Sequence, residues 1–253
     1  MIKVGISGCN GAMGRVLTDI LNQTEDMDIV LGIDRNPNLH ENIYPVYENA
    51  SKVDISCDVV IDFSHPSVLE DRLNFCITNK TAIVIATTGI SKEQEKTINE
   101  ASSYIPIFKS SNTSVGVNLI IDLVKKAASV LIDEFDIEII EKHHNKKIDA
   151  PSGTAYMIAN AINEELDDSL TYNYGRSGFS AKREKNEIGI HAVRGGTIPG
   201  EHTIIFAGMD EIIEIKHSAL SKRVFADGAI KAAKYINSKE SGLYTMKDLI
   251  NEN

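Results

Sequence analysis

Short apolar runs alternating with helix-period segments fill the first third of the chain. IKVGI (2–6), MDIVLGI (27–33), DVVIDF (58–63), AIVIA (82–86) and IPIF (105–108) are rich in β-branched residues and short enough to be buried strands. Between them, RVLTDILNQ (15–23) and SVLEDRLNFCITN (67–79) carry their apolar residues on one helical face. SKEQEKTINEASS (91–103) opens with Ser91-x-x-Gln94, the spacing of a reciprocal N-terminal cap. Strand and helix alternating in this way predict an α/β domain built on a doubly wound parallel sheet.

The pattern then changes. NLIIDLVKKAASVLIDEF (118–135) reads as a long amphipathic helix, followed by a strand, DIEIIEKHH (136–144), and a helix from Thr154 to about Leu166. A polar, Gly-containing stretch (167–187) leads to three strand-like runs, IGIHAVRG, HTIIFAG and EIIEIKHSA. Runs of strands after a helix predict a second, α+β domain with an open mixed sheet. Ser221 is placed to cap a last long helix over about 222–237. No internal repeat interrupts this order.

Composition narrows the function classes. A chain of 253 residues with 42% hydrophobic and 25% charged content is long enough for two modest domains. Its net charge of -10 disfavours general binding to nucleic acid or anionic membranes, so any anionic ligand needs a local basic site. No apolar run reaches the ~20 residues of a membrane span, and the N-terminus enters a strand-like run directly; a cytoplasmic protein is the expectation. Cys9, Cys57 and Cys76 lack metal-ligand spacing and read as ordinary thiols.

Two motifs carry chemistry. GCNGAMG places Gly8, Gly11 and Gly14 between the first strand and the first helix, where glycine permits a tight turn and the helix N-terminus offers N–H groups to a pyrophosphate. Asp34 closes the second strand 20 residues after Gly14, the position from which a carboxylate accepts hydrogen bonds from a ribose. Thr87, Thr88 and Gly89 follow the fourth strand at the same carboxyl edge. These features predict a dinucleotide site. The second motif, EKHHNKKIDAPSGTA (141–155), sets His143, His144 and Lys147 before a Pro-Ser-Gly-Thr turn that opens a helix. Adjacent strand histidines point to opposite faces and are poorly placed to share a metal, so no metal site is expected. Hydroxyls from Ser152 or Thr154, helix N–H groups and nearby cations instead form a cradle for a small dicarboxylic acid.

With these motifs in view, the sequence resembles the dihydrodipicolinate reductase family nearly end to end. The likeness runs through IKVGISGCNGAMGR, DFSHP (62–66), ATTG (86–89), SVGVN (114–118), E-x-H-H-x-x-K-x-D-A-P-S-G-T-A, RGG-x-I-x-G-E-H (194–202) and S-K-x-x-F-A-x-G-A (221–229). The histidine-lysine motif is specific; the glycine loop marks only the cofactor class. The resemblance implies a Rossmann-like domain over 1–114 and 222–253, and a substrate-binding and tetramerisation domain over 115–221. It implies reduction of 4-hydroxy-tetrahydrodipicolinate with NADH or NADPH in diaminopimelate and lysine biosynthesis, in a homotetramer. His143 would be the catalytic acid/base and Lys147 its companion proton donor. His144, Lys147, Ser152, Gly153 and Thr154 would hold substrate carboxylates. Gly8, Cys9, Asn10, Gly11, Ala12, Met13, Gly14, Arg15, Asp34, Arg35, Phe63, Ala86, Thr87, Thr88, Gly89, Ser110, Ser111, Asn112 and Thr113 would line the cofactor. The two sites fall on separate predicted domains, so the reaction implies closure about hinges near Ser114 and Ser221.

Three positions depart from the family pattern: Ala86 replaces a common glycine, Lys222 a frequent arginine, and the 167–187 segment is short. A different nicotinamide-dependent amino-acid or oxo-acid dehydrogenase, or a nucleotide sensor, would share the glycine loop. Neither would need the histidine-lysine motif.

Overall fold

The computed structural model describes residues 1–252, which divide into two compact units: Met1–Val115 together with the chain from Lys222 onward, and Gly116–Ser221. The first unit is built on strands β1 (Ile2–Ser7), β2 (Met27–Ile33), β3 (Val46–Tyr47), β4 (Val59–Asp62), β5 (Ala82–Ile85) and β6 (Pro106–Lys109). Its helices are α1 (Ala12–Leu21), α2 (Leu69–Asn79) and α3 (Lys92–Ala101). The second unit contains α4 (Val115–Leu131), which starts at the boundary, β7 (Asp136–His143), α5 (Gly153–Glu165), β8 (Thr171–Asn173), β9 (Glu187–Arg194), β10 (Glu201–Ala207) and β11 (Ile212–Ser218). The chain then returns to the first unit with α6 (Arg223–Ile236), β12 (Gly242–Tyr244) and α7 (Met246–Asn251).

Seven parallel strands in the order β12-β6-β5-β4-β1-β2-β3 form the first sheet. All four residues of β4 and of β5 are buried, as expected where both faces of a sheet are covered. Alternate residues feed two cores. Val59 and Ile61 join Leu17, Phe108, Ala229 and Ala233 on one face, while Val60 joins Leu73, Ile83 and Ile98 on the other. The helix after residue 221 is thus integral to the first unit, and Gly228 lets it approach closely. A Cβ on Gly228 would lie 1.7 Å from the Thr113 carbonyl oxygen, and the Thr113 hydroxyl donates to the Phe225 carbonyl at 2.6 Å.

Several expectations shift here. Two extra strands, β3 and β12, extend the first sheet at its edges; each has only two or three residues. The Ser91–Gln94 capping box is present. Ser221 is not the cap of α6: the N-cap is Lys222, in helical conformation and without a side-chain capping bond, and α7 follows. The long helix begins at Val115 and ends at Leu131, since residues 132–135 turn into β7. Cys9, Cys57 and Cys76 are all free and buried; burial pushes the Cys9 and Cys57 thiols up to about 12 and Cys76 well above its ordinary value.

The second unit is an open mixed sheet in the order β11-β10-β7-β9-β8. β7 pairs with β9 in parallel through the α5 crossover and with β10 antiparallel. α4 and α5 cover one face, with Val124, Ile158 and Ile162 against Ile137, Ile139, Ile190, Ile204 and Phe206. Each such fully buried aliphatic side chain contributes roughly 1.5–3 kcal/mol. On the opposite face Glu138 accepts from Arg176 at 2.9 Å, Arg183 at 3.2 Å and His191 at 2.6 Å, tying the 174–186 loop to the sheet. No helix among the described residues is long and apolar enough to cross a membrane.

Candidate active site

The glycine loop takes its shape from contacts within the first unit. Gly8 has φ +79°, and a Cβ on Gly14 would lie 2.2 Å from the Gly8 carbonyl oxygen and 2.5 Å from Cys9 Cα. Neither position tolerates a side chain. α1 starts from Gly11 with no side-chain cap and no acidic residue in its first turn, which leaves its N-terminal dipole available to an anion. A cleft of about 610 Å³ opens there, lined among others by Gly8, Gly11, Asp34, Arg35 and Phe63, and also by His65, Ser67 and Arg72. An uncapped helix end beside a carboxylate and an arginine suits a dinucleotide.

Asp34 is fixed in that cleft. Its Oδ2 accepts from the Asn10 backbone N–H at 3.0 Å and its Oδ1 from the Asn36 N–H at 2.9 Å. Asn10 in turn donates to the Asn36 carbonyl at 2.7 Å and accepts from Asn42 at 3.0 Å, and Arg15 donates to Asn42 at 3.4 Å. Cys9 is fully buried, so only its backbone can face a ligand; Met13 is partly buried against the core and Ala12 is exposed. Thr87 is buried and donates to Asp62 at 2.8 Å, joining the ends of β4 and β5, while Ala86 is buried and Thr88 and Gly89 are exposed. After β6, the Ser110 hydroxyl donates to the Asn112 carbonyl at 2.6 Å; Ser111 is exposed, and Asn112 and Thr113 are buried.

In the second unit a polar cluster forms where β7 ends. β7 alternates strictly, so Glu141 and His143 share the inward face with Ile137 and Ile139. Glu141 is fully buried and saturated: Oε2 accepts from His143 Nδ1 at 2.6 Å and Arg194 Nη1 at 2.8 Å, and Oε1 from Arg194 Nη2 at 2.7 Å and the Ser152 N–H at 3.0 Å. Burial alone would raise this carboxyl. The hydrogen bonds from Arg194 and His143 outweigh it and hold Glu141 below the usual carboxylate range. Ser152 caps α5, accepting from the Ala155 N–H at 3.1 Å, and its hydroxyl bonds His202 Nε2 at 2.8 Å. The His202 ring stands edge-on to His143, 5.3 Å between centroids, and its pKa is pushed down to about 4, first by burial and next by His143, so it is neutral at pH 7.

Lys147 pairs with Asp149 at 2.8 Å. Nδ1 of His144, of His202 and of His217 is buried without a partner, and His217 is the cross-strand neighbour of His202. Buried polar atoms seldom stay unpaired, so these three suit a ligand rich in oxygen. Gly153 is the first residue of α5, and a Cβ there would meet nothing within 4 Å.

His143, Ser152 and His202 are therefore drawn together around Glu141. His144, Lys147, Gly153 and Thr154 border them in sequence, with Gly153 exposed and the other three partly buried. Ser152 is committed to the helix cap, Glu141 and His202. Glu141, Arg194 and His202 fall within the quoted motifs but received no role from them, and His217 lies outside them. The signal was available for Glu141, whose parity along β7 matches that of His143.

A family model described as dihydrodipicolinate reductase, N-terminus, matches residues 2–113, and one described as dihydrodipicolinate reductase, C-terminus, matches residues 116–250. A 4-hydroxy-tetrahydrodipicolinate reductase of Clostridium novyi is 50% identical over 251 residues, covering 99% of this chain and 98% of the relative. The protein of that name from Caldanaerobacter subterraneus subsp. tengcongensis is 51% identical over 250 residues, with the same coverage. Among solved structures, dipicolinate-bound dihydrodipicolinate reductase from Paenisporosarcina sp. TG-14 superposes with a TM-score of 0.81 at 26% identity, covering 97% of each chain. A probable dehydrogenase from Thermotoga maritima shares the fold at 12% identity, with a TM-score of 0.63 over 98% of this chain and 92% of its own.

Proposed function

We propose, since this chain belongs to the dihydrodipicolinate reductase family, that it reduces 4-hydroxy-tetrahydrodipicolinate to tetrahydrodipicolinate in diaminopimelate and lysine biosynthesis. The observation that carries this reading is the His143–Glu141–Arg194 cluster at the start of α5, with buried, unpaired Nδ1 atoms on His144, His202 and His217. NADH or NADPH, held by the glycine loop, Asp34 and Arg35, supplies the hydride. Loss of the C4 hydroxyl as water turns the substrate into dihydrodipicolinate, a cyclic conjugated imine bearing two carboxylates. Hydride addition at ring C4 leaves an enamine, which takes a proton at C3. His143 Nε2 gives up that proton and its ring is left neutral, with Nδ1–H still on Glu141; solvent then restores the proton. Lys147, His144 and the backbone of Gly153 and Thr154 hold the carboxylates, which balances charge inside an otherwise acidic protein. Ser152 orients this end of the helix.

We place the hydride donor on the first unit and the substrate on the second. The free thiols support a reducing compartment, the cytoplasm. Assembly as a homotetramer through the second unit's sheet follows from the family resemblance.

The activity is tested by coupling the protein to a synthase that generates the substrate and following reduced nicotinamide absorbance. In that assay Gly153→Ala separates folding from binding. No protein atom opposes its Cβ, so the unfolding midpoint holds or rises, while the substrate KM increases about tenfold because the carboxylate loses its close approach to the helix end. An unchanged KM would remove Gly153 from the cradle.

Cofactor choice follows from Asp34. Two backbone N–H groups hold its carboxylate in place, so it cannot swing away from a 2′-phosphate, and the adjacent Arg35 offsets the repulsion. Both cofactors work, with a lean to NADH. Asp34→Asn moves the kcat/KM ratio toward NADPH by roughly tenfold, equivalent to about 1.4 kcal/mol, and the gain shrinks with added salt. A ratio indifferent to that substitution would mean that the carboxylate does not face the ribose.

A further inference from the structure

We infer that Glu141 is a positioning residue: clamped by Arg194, it fixes His143 in the tautomer that carries hydrogen on Nδ1, leaving Nε2 as the atom that exchanges protons with substrate. This rests on the reading of His143 as the acid and adds to it the group that sets its state.

An imidazole free to flip or change tautomer presents either nitrogen, and only one of them can be aimed at a substrate carbon. Here Nδ1 lies 2.6 Å from Glu141 Oε2, and a fully buried carboxylate flanked by a guanidinium is an acceptor only. Nδ1 must therefore donate. The carboxylate itself cannot rotate away, because Arg194 grips both oxygens at 2.8 and 2.7 Å and the Ser152 N–H holds Oε1 at 3.0 Å. Four donors on one buried carboxylate leave it no alternative partner. The register explains the origin of the clamp: Arg194 lies directly across from His143 in the parallel β7–β9 pair, and reaches back along the strand to Glu141. Gly200 contributes the remaining wall. A Cβ on it would lie 3.1 Å from His143 Nε2, so a side chain there would cover the nitrogen that must stay accessible.

The charged groups around His143 differ in sign. Glu141 on β7 is the anion in direct contact with its ring. Arg194 on β9 is a cation, paired with Glu141. His202 on β10 is neutral at pH 7, His217 on β11 lies beyond it, and Lys147 and Asp149 in the loop after β7 form a pair with each other. α5 presents Ser152, which does not titrate. Removing the Glu141 charge thus both withdraws the favourable partner and exposes an unpaired Arg194, and each change disfavours protonated His143.

Two measurements test this. In the substrate-free wild-type protein, nitrogen-15 shifts of the histidine rings, with His143 assigned by its loss in His143→Asn, report the neutral tautomer directly. Hydrogen on Nδ1 is expected; hydrogen on Nε2, or averaging between the two, overturns the inference. In Glu141→Gln, kcat/KM should begin to fall at a lower pH than in the wild type, with the cofactor KM unchanged. A uniform loss of rate with no displacement of that limb would mark a merely structural role and overturn it too. If Glu141→Gln does not fold, the wild-type spectrum decides. If the wild type shows no reductase activity, the function reading fails while the tautomer result stands on its own.

Discussion

His143→Asn turns over about 10²–10⁴-fold more slowly than the wild type, with cofactor affinity changed by no more than a factor of a few. Asparagine suits this test because its amide nitrogen occupies the place of Nδ1 and keeps a donor on Glu141, so the buried carboxylate is not left unpaired. What disappears is Nε2 and its proton. Lys147→Ala lowers turnover as well, but also raises the substrate KM, since an ammonium that neutralises a carboxylate acts on binding and on reaction alike. Stopped-flow cofactor binding and the coupled assay separate the two effects. Turnover in His143→Asn within a few-fold of wild type would transfer the proton to another group, with Lys147 the first to consider.

Gly228→Ala collapses the first unit. Its Cβ would stand 1.7 Å from the Thr113 carbonyl oxygen and 2.7 Å from the carbonyl carbon, and both are backbone atoms that no rotamer change can move. To make room α6 must back away from the sheet, which breaks the Thr113–Phe225 bond and loosens the packing of Ala226, Ala229 and Ala233. Overpacking of this kind costs ~3 kcal/mol or more, a large share of a domain's margin of ~5–15 kcal/mol. Urea unfolding followed by far-ultraviolet circular dichroism should show an early transition, or the variant should be recovered insoluble. A wild-type midpoint would mean that α6 does not pack as described. Gly153→Ala is the internal control, since the same chemical change meets empty space there.

The inner strands were legible in the sequence: β2 spans Met27–Ile33, and β4 and β5 lie within a residue of their apolar runs, because strands covered on both faces are mostly apolar and β-branched. β3, β8 and β12 were not, since two or three residues cannot carry a period, and edge strands are fixed by a neighbour's open hydrogen bonds instead of their own pattern. Arg72 shows a different limit. It sits within an amphipathic helix yet is 3% exposed, because its Nε donates to Ser7 Oγ on β1, a partner 65 residues away. The polar cluster divides along the same line. Histidines, lysine and cap were visible as a local motif, and strand parity already turned Glu141 inward. Arg194 and His202 join through register with β9 and β10, 53 and 61 positions from Glu141, and no local pattern encodes that register.

All three thiols lie in the first unit, Cys9 in the glycine loop, Cys57 just before β4 and Cys76 on α2, and the other unit has no cysteine. Protonated and shielded, they are poor nucleophiles, so alkylating reagents have little purchase on the native protein. Reaction begins when that region opens. The timing of thiol capture is therefore a built-in clock for the breathing of the nucleotide-binding half alone, readable by mass without attaching any probe, and a ligand that grips the glycine loop should slow it.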